Sequence, residues 1–153
     1  MRMLAKLRSD RRGSAAVELA VLTPLLASML FSAIDIGNGF AMKLALEQAA
    51  GRTAELATAP GTVATSYAAL AKEVATAYGK PYRSAVAENW LECGGAKQGS
   101  FTTVCTDGAQ TARYVSIRIE AEYVPIFNYA GLLTGDGPNG GFITQGDAVV
   151  RIQ

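Results

Sequence analysis

Histidine is absent from the 153 residues, and only two cysteines and one tryptophan occur. Without histidine the commonest general base is missing, and Ser-His or Cys-His activation of a nucleophile is ruled out. A four-ligand zinc site would need carboxylates to complete it, since two cysteines supply only half. Charge is sparse, at 18% of residues, and its positive part is concentrated. Arg2, Lys6, Arg8, Arg11 and Arg12 crowd the first thirteen positions against a single acid, Asp10. That leader carries +4, so a total of +1 leaves −3 on the remainder, which has no basic footprint for nucleic acid. Phosphate-binding glycine motifs are missing too: Gly37-Asn38-Gly39 lacks the third glycine and a preceding strand. The run from Gly135 to Gly141, with Asp147 beyond, has neither the spacing nor the twelfth-position glutamate of an EF-hand, and turn chemistry accounts for it. Glu120 and Glu122 share one face of an alternating segment, which solvation explains. No enzymatic activity, cofactor or metal is expected.

What the chain does have is a long apolar run. Ser14 to Ile34 is 21 residues, which as a helix spans roughly 32 Å against a hydrocarbon core of about 30 Å. Its only charge is Glu18 and its only proline is Pro24. The five basic residues precede it directly, and the next basic residue is Lys43. This bias places the N-terminus in the cytoplasm and the bulk of the chain outside. A secretory signal would have an apolar core of about 7 to 15 residues and then a small-x-small cleavage site. Ala27-Ser28-Met29 and Ser32-Ala33-Ile34 resemble such sites, so hydropathy leaves a signal, an uncleaved anchor and a processed anchor all open. Pro24 removes one helical hydrogen bond, and the hydroxyls of Thr23 and Ser28 are available to serve freed carbonyls. An acid inside a membrane-length run calls for a physical cause.

The pattern Gly13-Ser14-x-x-x-Glu18 resembles a type IV prepilin processing site. The wider stretch from Arg11 to Leu26 is similar to the TadE-like proteins, minor pilins (pseudopilins) of the bacterial tight-adherence, or Flp, pilus. The segment Tyr114 to Phe127 is similar to the late strand and Pro-aromatic ending of that family. The resemblance implies cleavage after Gly13 by a prepilin peptidase, with Ser14 as the first mature residue and Glu18 as the fifth. It implies a major pilin, other minor pilins and the inner membrane as partners, and a role in pilus assembly that supports adhesion and biofilm formation. The alternative is an uncleaved single-pass inner-membrane anchor with a periplasmic binding domain.

The role of Glu18 also has a basis in charge alone. Cleavage after Gly13 would create an α-amine on Ser14, cationic at neutral pH by its reference value of about 8. In lipid, a carboxylate is stabilised by an opposite charge within about 4–6 Å. Pairing between the Ser14 amine of one subunit and Glu18 of a neighbour would set the axial step of a filament. Loss of one partner of such a desolvated pair costs on the order of 3–5 kcal/mol. The plainer reading is an acid favoured by the helix dipole, worth about 0.3–1 kcal/mol.

Past the apolar run, helical spacing continues through Ile36, Phe40 and Leu44, then Leu46, Ala49, Ala50, Thr53 and Ala57. One helix is expected from residue 14 to about 58, its outer half amphipathic and packed on a globular domain. Lys43 and Glu47 stand at i,i+4, and Gly37 and Gly39 suggest a hinge. Pro60-Gly61 ends the element. A second helix is capped by Thr62, carries Val63, Tyr67, Leu70, Val74 and Tyr78 on one stripe, and stops at Gly79 and Pro81. From Tyr82 the pattern turns to period two. Residues 83–93 read as a strand with Trp90 or Leu91 inward. Val115, Ile117, Ile119, Ala121 and Tyr123 form the apolar face of a second strand, which Pro125 ends. Ala148, Val150 and Ile152 form that of a last one, over residues 147–153. Cys93 and Cys105 flank a flexible polar loop; a disulfide closing about 13 residues would contribute around 3 kcal/mol and suits an oxidising periplasm.

The expected fold class is therefore α+β: a long N-terminal helix and a short second helix packed on a small antiparallel sheet. The expected division is a cleaved cytoplasmic leader over 1–13, a transmembrane helix over 14–34, an amphipathic extension over 35–58 and a periplasmic or extracellular pilin-like domain over 59–153.

Overall fold

The computed structural model describes residues 12–59, 67–106, 108–127 and 135–152. The leader up to residue 11, the Pro60-Gly61 terminator and the expected Thr62 cap with Val63 lie outside the described residues. Helix α1 spans Arg12–Thr58 and α2 spans Tyr67–Tyr78. Four strands follow: β1 Ser84–Cys93, β2 Ala96–Lys97, β3 Thr111–Tyr123 and β4 Phe142–Arg151. They form one antiparallel sheet in the order β2-β1-β3-β4. The fold is α+β, as the change of period at Tyr82 predicts. The chain divides into two compact units, Met1–Asn38 and Gly39–Gln153.

Alanine and leucine dominate α1, and both are strong helix formers. The helix runs through Gly37 and Gly39 without interruption. Instead of marking a break, Gly39 receives an aromatic ring: a Cβ there would lie 3.4 Å from Cδ1 of Tyr123. Thr23 Oγ1 donates to the Leu19 carbonyl at 2.6 Å and Ser28 Oγ to the Leu25 carbonyl at 2.8 Å. Neither acceptor is the Ala20 carbonyl, the one Pro24 has no N–H to serve. Helix α2 ends as expected: Gly79 takes φ +65° and its N–H donates to the Ala75 carbonyl at 3.1 Å, an αL cap.

In the second unit, the core lies between the sheet and the two helices. From α1, Leu46, Ala49, Ala50, Thr53, Ala54 and Ala57 are buried, while β3 contributes Val115, Ile117, Ile119 and Ala121. Each fully buried branched aliphatic side chain contributes about 1.5–3 kcal/mol. Thr53 is accommodated because its hydroxyl donates to the Ala49 carbonyl at 2.9 Å. From α2, Val74 and Tyr78 complete the cluster. The Tyr78 hydroxyl has no hydrogen-bond partner among the described residues, and burial pushes its phenol upward.

The expected stripe on the outer half of α1 needs correcting. Ile36 is 72% exposed, Phe40 64% and Leu44 42%. Phe40 and Leu44 sit about 130° and 170° around the helix from the arc centred on Leu46 and Thr53, so their stripe faces away from the sheet. Close packing on that arc depends on Gly146. Strand β4 passes so near α1 that a Cβ at Gly146 would overlap the Leu46 carbonyl group and the Glu47 nitrogen.

Strand β1 matches its expectation, with Leu91 fully buried and Trp90 turned to the outer face. There Trp90 stacks on its cross-strand partner Tyr114, centroids 5.2 Å apart, and the Lys97 ammonium sits 5.0 Å from the indole. The loop after Cys93 is more ordered than its composition suggests. Gly94 and Gly95 take φ of +58° and +86°, the two positive values of a tight hairpin turn, and β2 folds straight back on β1. Strand β4 begins at Phe142, five residues earlier than expected at 147, and pairs with β3 from Tyr123↔Phe142 to Tyr114↔Arg151.

Candidate assembly site and its supporting domain

Three expected site residues, Gly13, Ser14 and Glu18, fall within the first two turns of α1. Ser14 and Glu18 are four residues apart, an axial rise of about 6 Å on a helix. Gly13 is exposed, and open space surrounds the position its Cβ would take. Glu18 is exposed as well. Around and beyond it, Val17, Leu19, Val21, Leu22, Leu25 and Leu26 are all more than half exposed, as are Met29 and Leu30. These residues cover an arc of about 220° around the axis, far wider than the apolar stripe of an ordinary surface helix. By length and composition α1 can cross a membrane, which fits a single-pass anchor.

In the second unit, Cys93 and Cys105 are joined in a disulfide, with Cα atoms 5.5 Å apart. It ties the end of β1 to the segment leading into β3. Nearby, Arg113 lies over the Phe101 ring at 5.7 Å. Among the described residues no group of three or more Cys, Asp or Glu is placed to hold a metal ion.

Glu122 has a structural task that its place in an alternating strand did not reveal. Its Oε1 accepts from the backbone N–H of Asn139 and of Gly141, each at 2.9 Å, and Oε2 accepts from Asn139 Nδ2 at 2.8 Å. Partial desolvation raises this carboxyl's pKa. The hydrogen bonds from Gly141 and Asn139, with the positive charge of Arg83, outweigh that and hold it below its ordinary value. A side chain at Gly137 would collide with this carboxylate, and one at Gly141 with the Tyr123 carbonyl and Glu122 Cγ. The glycine-rich run is thus a loop fastened by an acid, and the available signal was the Asn-Gly-Gly triplet opposite a strand glutamate. The Glu120 carboxylate, by contrast, accepts from the cross-strand Ser84 hydroxyl, at 3.1 Å.

Taken together, these units define a class: a chain with one exposed apolar N-terminal helix, continued by a disulfide-bearing α+β domain. Residues 13–55 match the family model described as TadE-like protein, in keeping with the resemblance read from the Gly13–Glu18 pattern. The match covers less than a third of the chain and points to a pilin-like protein associated with the Tad pilus, a structural rather than an enzymatic family. No curated protein and no solved structure matches the chain.

Proposed function

We propose that this chain is a minor pilin of a bacterial tight-adherence pilus. A prepilin peptidase cuts it after Gly13, α1 holds it in the inner membrane with residues 14–34, and its α+β domain lies in the periplasm until the subunit joins or primes the pilus. In this role it supports adhesion and biofilm formation. The observation that carries the reading is that the family match begins at Gly13, within α1, and that the acid follows one helical turn beyond Ser14 on a helix whose apolar side chains are exposed.

The chemistry follows from charge in a low dielectric. Cleavage exposes the Ser14 ammonium, and Glu18 of a neighbouring subunit balances it, so that helices stack in a set register. The major pilin and other minor pilins supply those neighbours. N-terminal sequencing of protein recovered from native membranes is expected to begin at Ser14. A start at Met1 would identify an uncleaved anchor with a periplasmic binding domain instead, and a start near residue 30 a secreted protein. Glu18→Ala is expected to leave cleavage and membrane insertion intact while abolishing incorporation; pili containing normal amounts of the variant would refute the pairing.

A further inference from the structure

Three strand termini meet at one end of the sheet. Tyr123 closes β3 opposite Phe142, the first residue of β4, and Glu122 stands opposite Ile143. The Arg83 N–H donates to the Glu120 carbonyl at 2.7 Å and Ser84 pairs with Glu120, so Tyr82 arrives level with Glu122 on the other side of β3. Helix α1 joins the same end. Gly39 lies against the Tyr123 ring, and Lys43, held by Glu47 at 2.8 Å, donates its ammonium to the Gln145 carbonyl at 2.6 Å. Apolar side chains are left in the open here: Phe40 and Val124 are at least half exposed, Tyr82 nearly half, and Phe142 and Ile143 more than a third.

These five side chains do not share a face. Ile143 falls on the outer face of the sheet with Glu122, Phe142 on the helix face with Tyr123, and Phe40 comes from α1. A peptide strand or helix would lie along one face, whereas a broad surface laid across the strand ends touches all of them together. The chain brings such a surface with it. Its membrane-length apolar run ends at Ile34 and the second unit begins at Gly39, five residues on, which is at most about 18 Å of chain even when extended. Of the two ends of the sheet, this is the one tethered to the bilayer. Lys80 and Arg83 are exposed on either side of Tyr82 in the sequence. A tyrosine flanked by long cations suits the headgroup region, where the ring enters the acyl boundary and the charged tips stay among the phosphates. We infer that the rim formed by Phe40, Tyr82, Val124, Phe142 and Ile143 rests on the lipid surface of the membrane that α1 crosses. Apolar side chains at such a surface settle to a depth of about 5–10 Å. The inference rests on the membrane-anchor part of the proposed function and not on cleavage after Gly13.

The test uses the full chain reconstituted in vesicles of phosphatidylcholine and phosphatidylglycerol, with or without bromine on the phosphatidylcholine acyl chains as a contact quencher of tryptophan. The single tryptophan of the chain, Trp90, is an internal control, because it stands six residues along β1 from Ser84, about 20 Å up the strand. Its emission is expected to be equal in the two kinds of vesicle. In the Trp90→Phe background, Tyr82→Trp is expected to lose roughly half of its emission or more to brominated lipid. Should Tyr82→Trp fail to fold, Phe142→Trp reads the same contact from the other face of the sheet. Val104→Trp, at an exposed position beside the disulfide and the far end of β1, should keep its emission. Flotation of the same vesicles separates two kinds of failure. A chain that does not float lacks the anchor, which overturns the anchor and the rim contact together. A chain that floats while Tyr82→Trp and Phe142→Trp escape quenching keeps the anchor and overturns the rim contact alone. Blue-shifted emission from these variants without quenching, the sign of a protein surface over the rim, overturns it too, as does equal quenching of Val104→Trp.

Discussion

At the scale of single residues, Glu122 shows how position in a fold changes the meaning of a side chain. Alternation puts it on the wet face of β3, and it is there, yet its carboxylate collects three hydrogen bonds from Asn139 and Gly141. Because its pKa in the folded chain is lowered from 4.5, the fastening is fully present above that value. It is lost as the pH falls through the lowered folded value, since the protonated carboxyl accepts these bonds poorly. The amide resonances of Asn139 and Gly141 should therefore titrate together, with a midpoint below 4.5, and Glu122→Gln should remove the step. Titration of these amides at or above 4.5 would show that the loop is held by something else. Turn residues alone made a loop readable over residues 135–141; its tether was not, because the carboxylate that holds it is nineteen positions away from Gly141.

At the scale of elements, the contact between α1 and β4 decides the packing. Helical spacing marked Leu46, Ala49, Ala50, Thr53 and Ala57 correctly as one stripe, and all are buried. It marked Ile36, Phe40 and Leu44 equally well, and they are not. Periodicity reports an apolar face but not what covers it, and two stripes on one helix look alike until a sheet chooses between them. The choice rests on Gly146, whose missing side chain lets β4 lie on the α1 backbone at Leu46 and Glu47. Gly146→Ala is expected to destabilise the domain by about 1–3 kcal/mol, since the obstructing atoms are backbone and not a flexible side chain. Gly99→Ala, where nothing stands within 4 Å, should stay within about 0.5 kcal/mol. Denaturant melts of the two variants side by side give the comparison; equal stability would mean the helix and strand separate at little cost.

At the scale of the whole molecule, the disulfide closes a loop between two strands of the sheet. Cys93 and Cys105 are separated by 12 positions, and closing that loop restricts the unfolded chain by about 3 kcal/mol on the chain-entropy model. Replacing both with serine should lower the stability of the domain by about that amount without changing its secondary structure, as read by circular dichroism and chemical denaturation. If the loss were negligible, the turn at Gly94-Gly95 and the strand pairing would already hold the segment, and the bond would have no thermodynamic role. Two cysteines flanking a polar loop were enough to anticipate the bridge. The hairpin inside that loop was harder to anticipate, because two adjacent glycines suit a flexible linker and a tight turn equally well.

The amino-acid order by itself determined the long apolar helix, the change from period 3.6 to period two at Tyr82, the inward face of β3, and the Gly13–Glu18 pattern at the start of α1. These are local properties, set by spacing, propensity and charge within a few turns of chain. Only the tertiary structure decided which stripe of α1 meets the sheet, that Glu122 fastens a loop, and that Gly146 admits the helix. Each of these joins residues far apart in sequence, and such pairings are specified by packing and backbone approach, for which a one-dimensional pattern contains no distance.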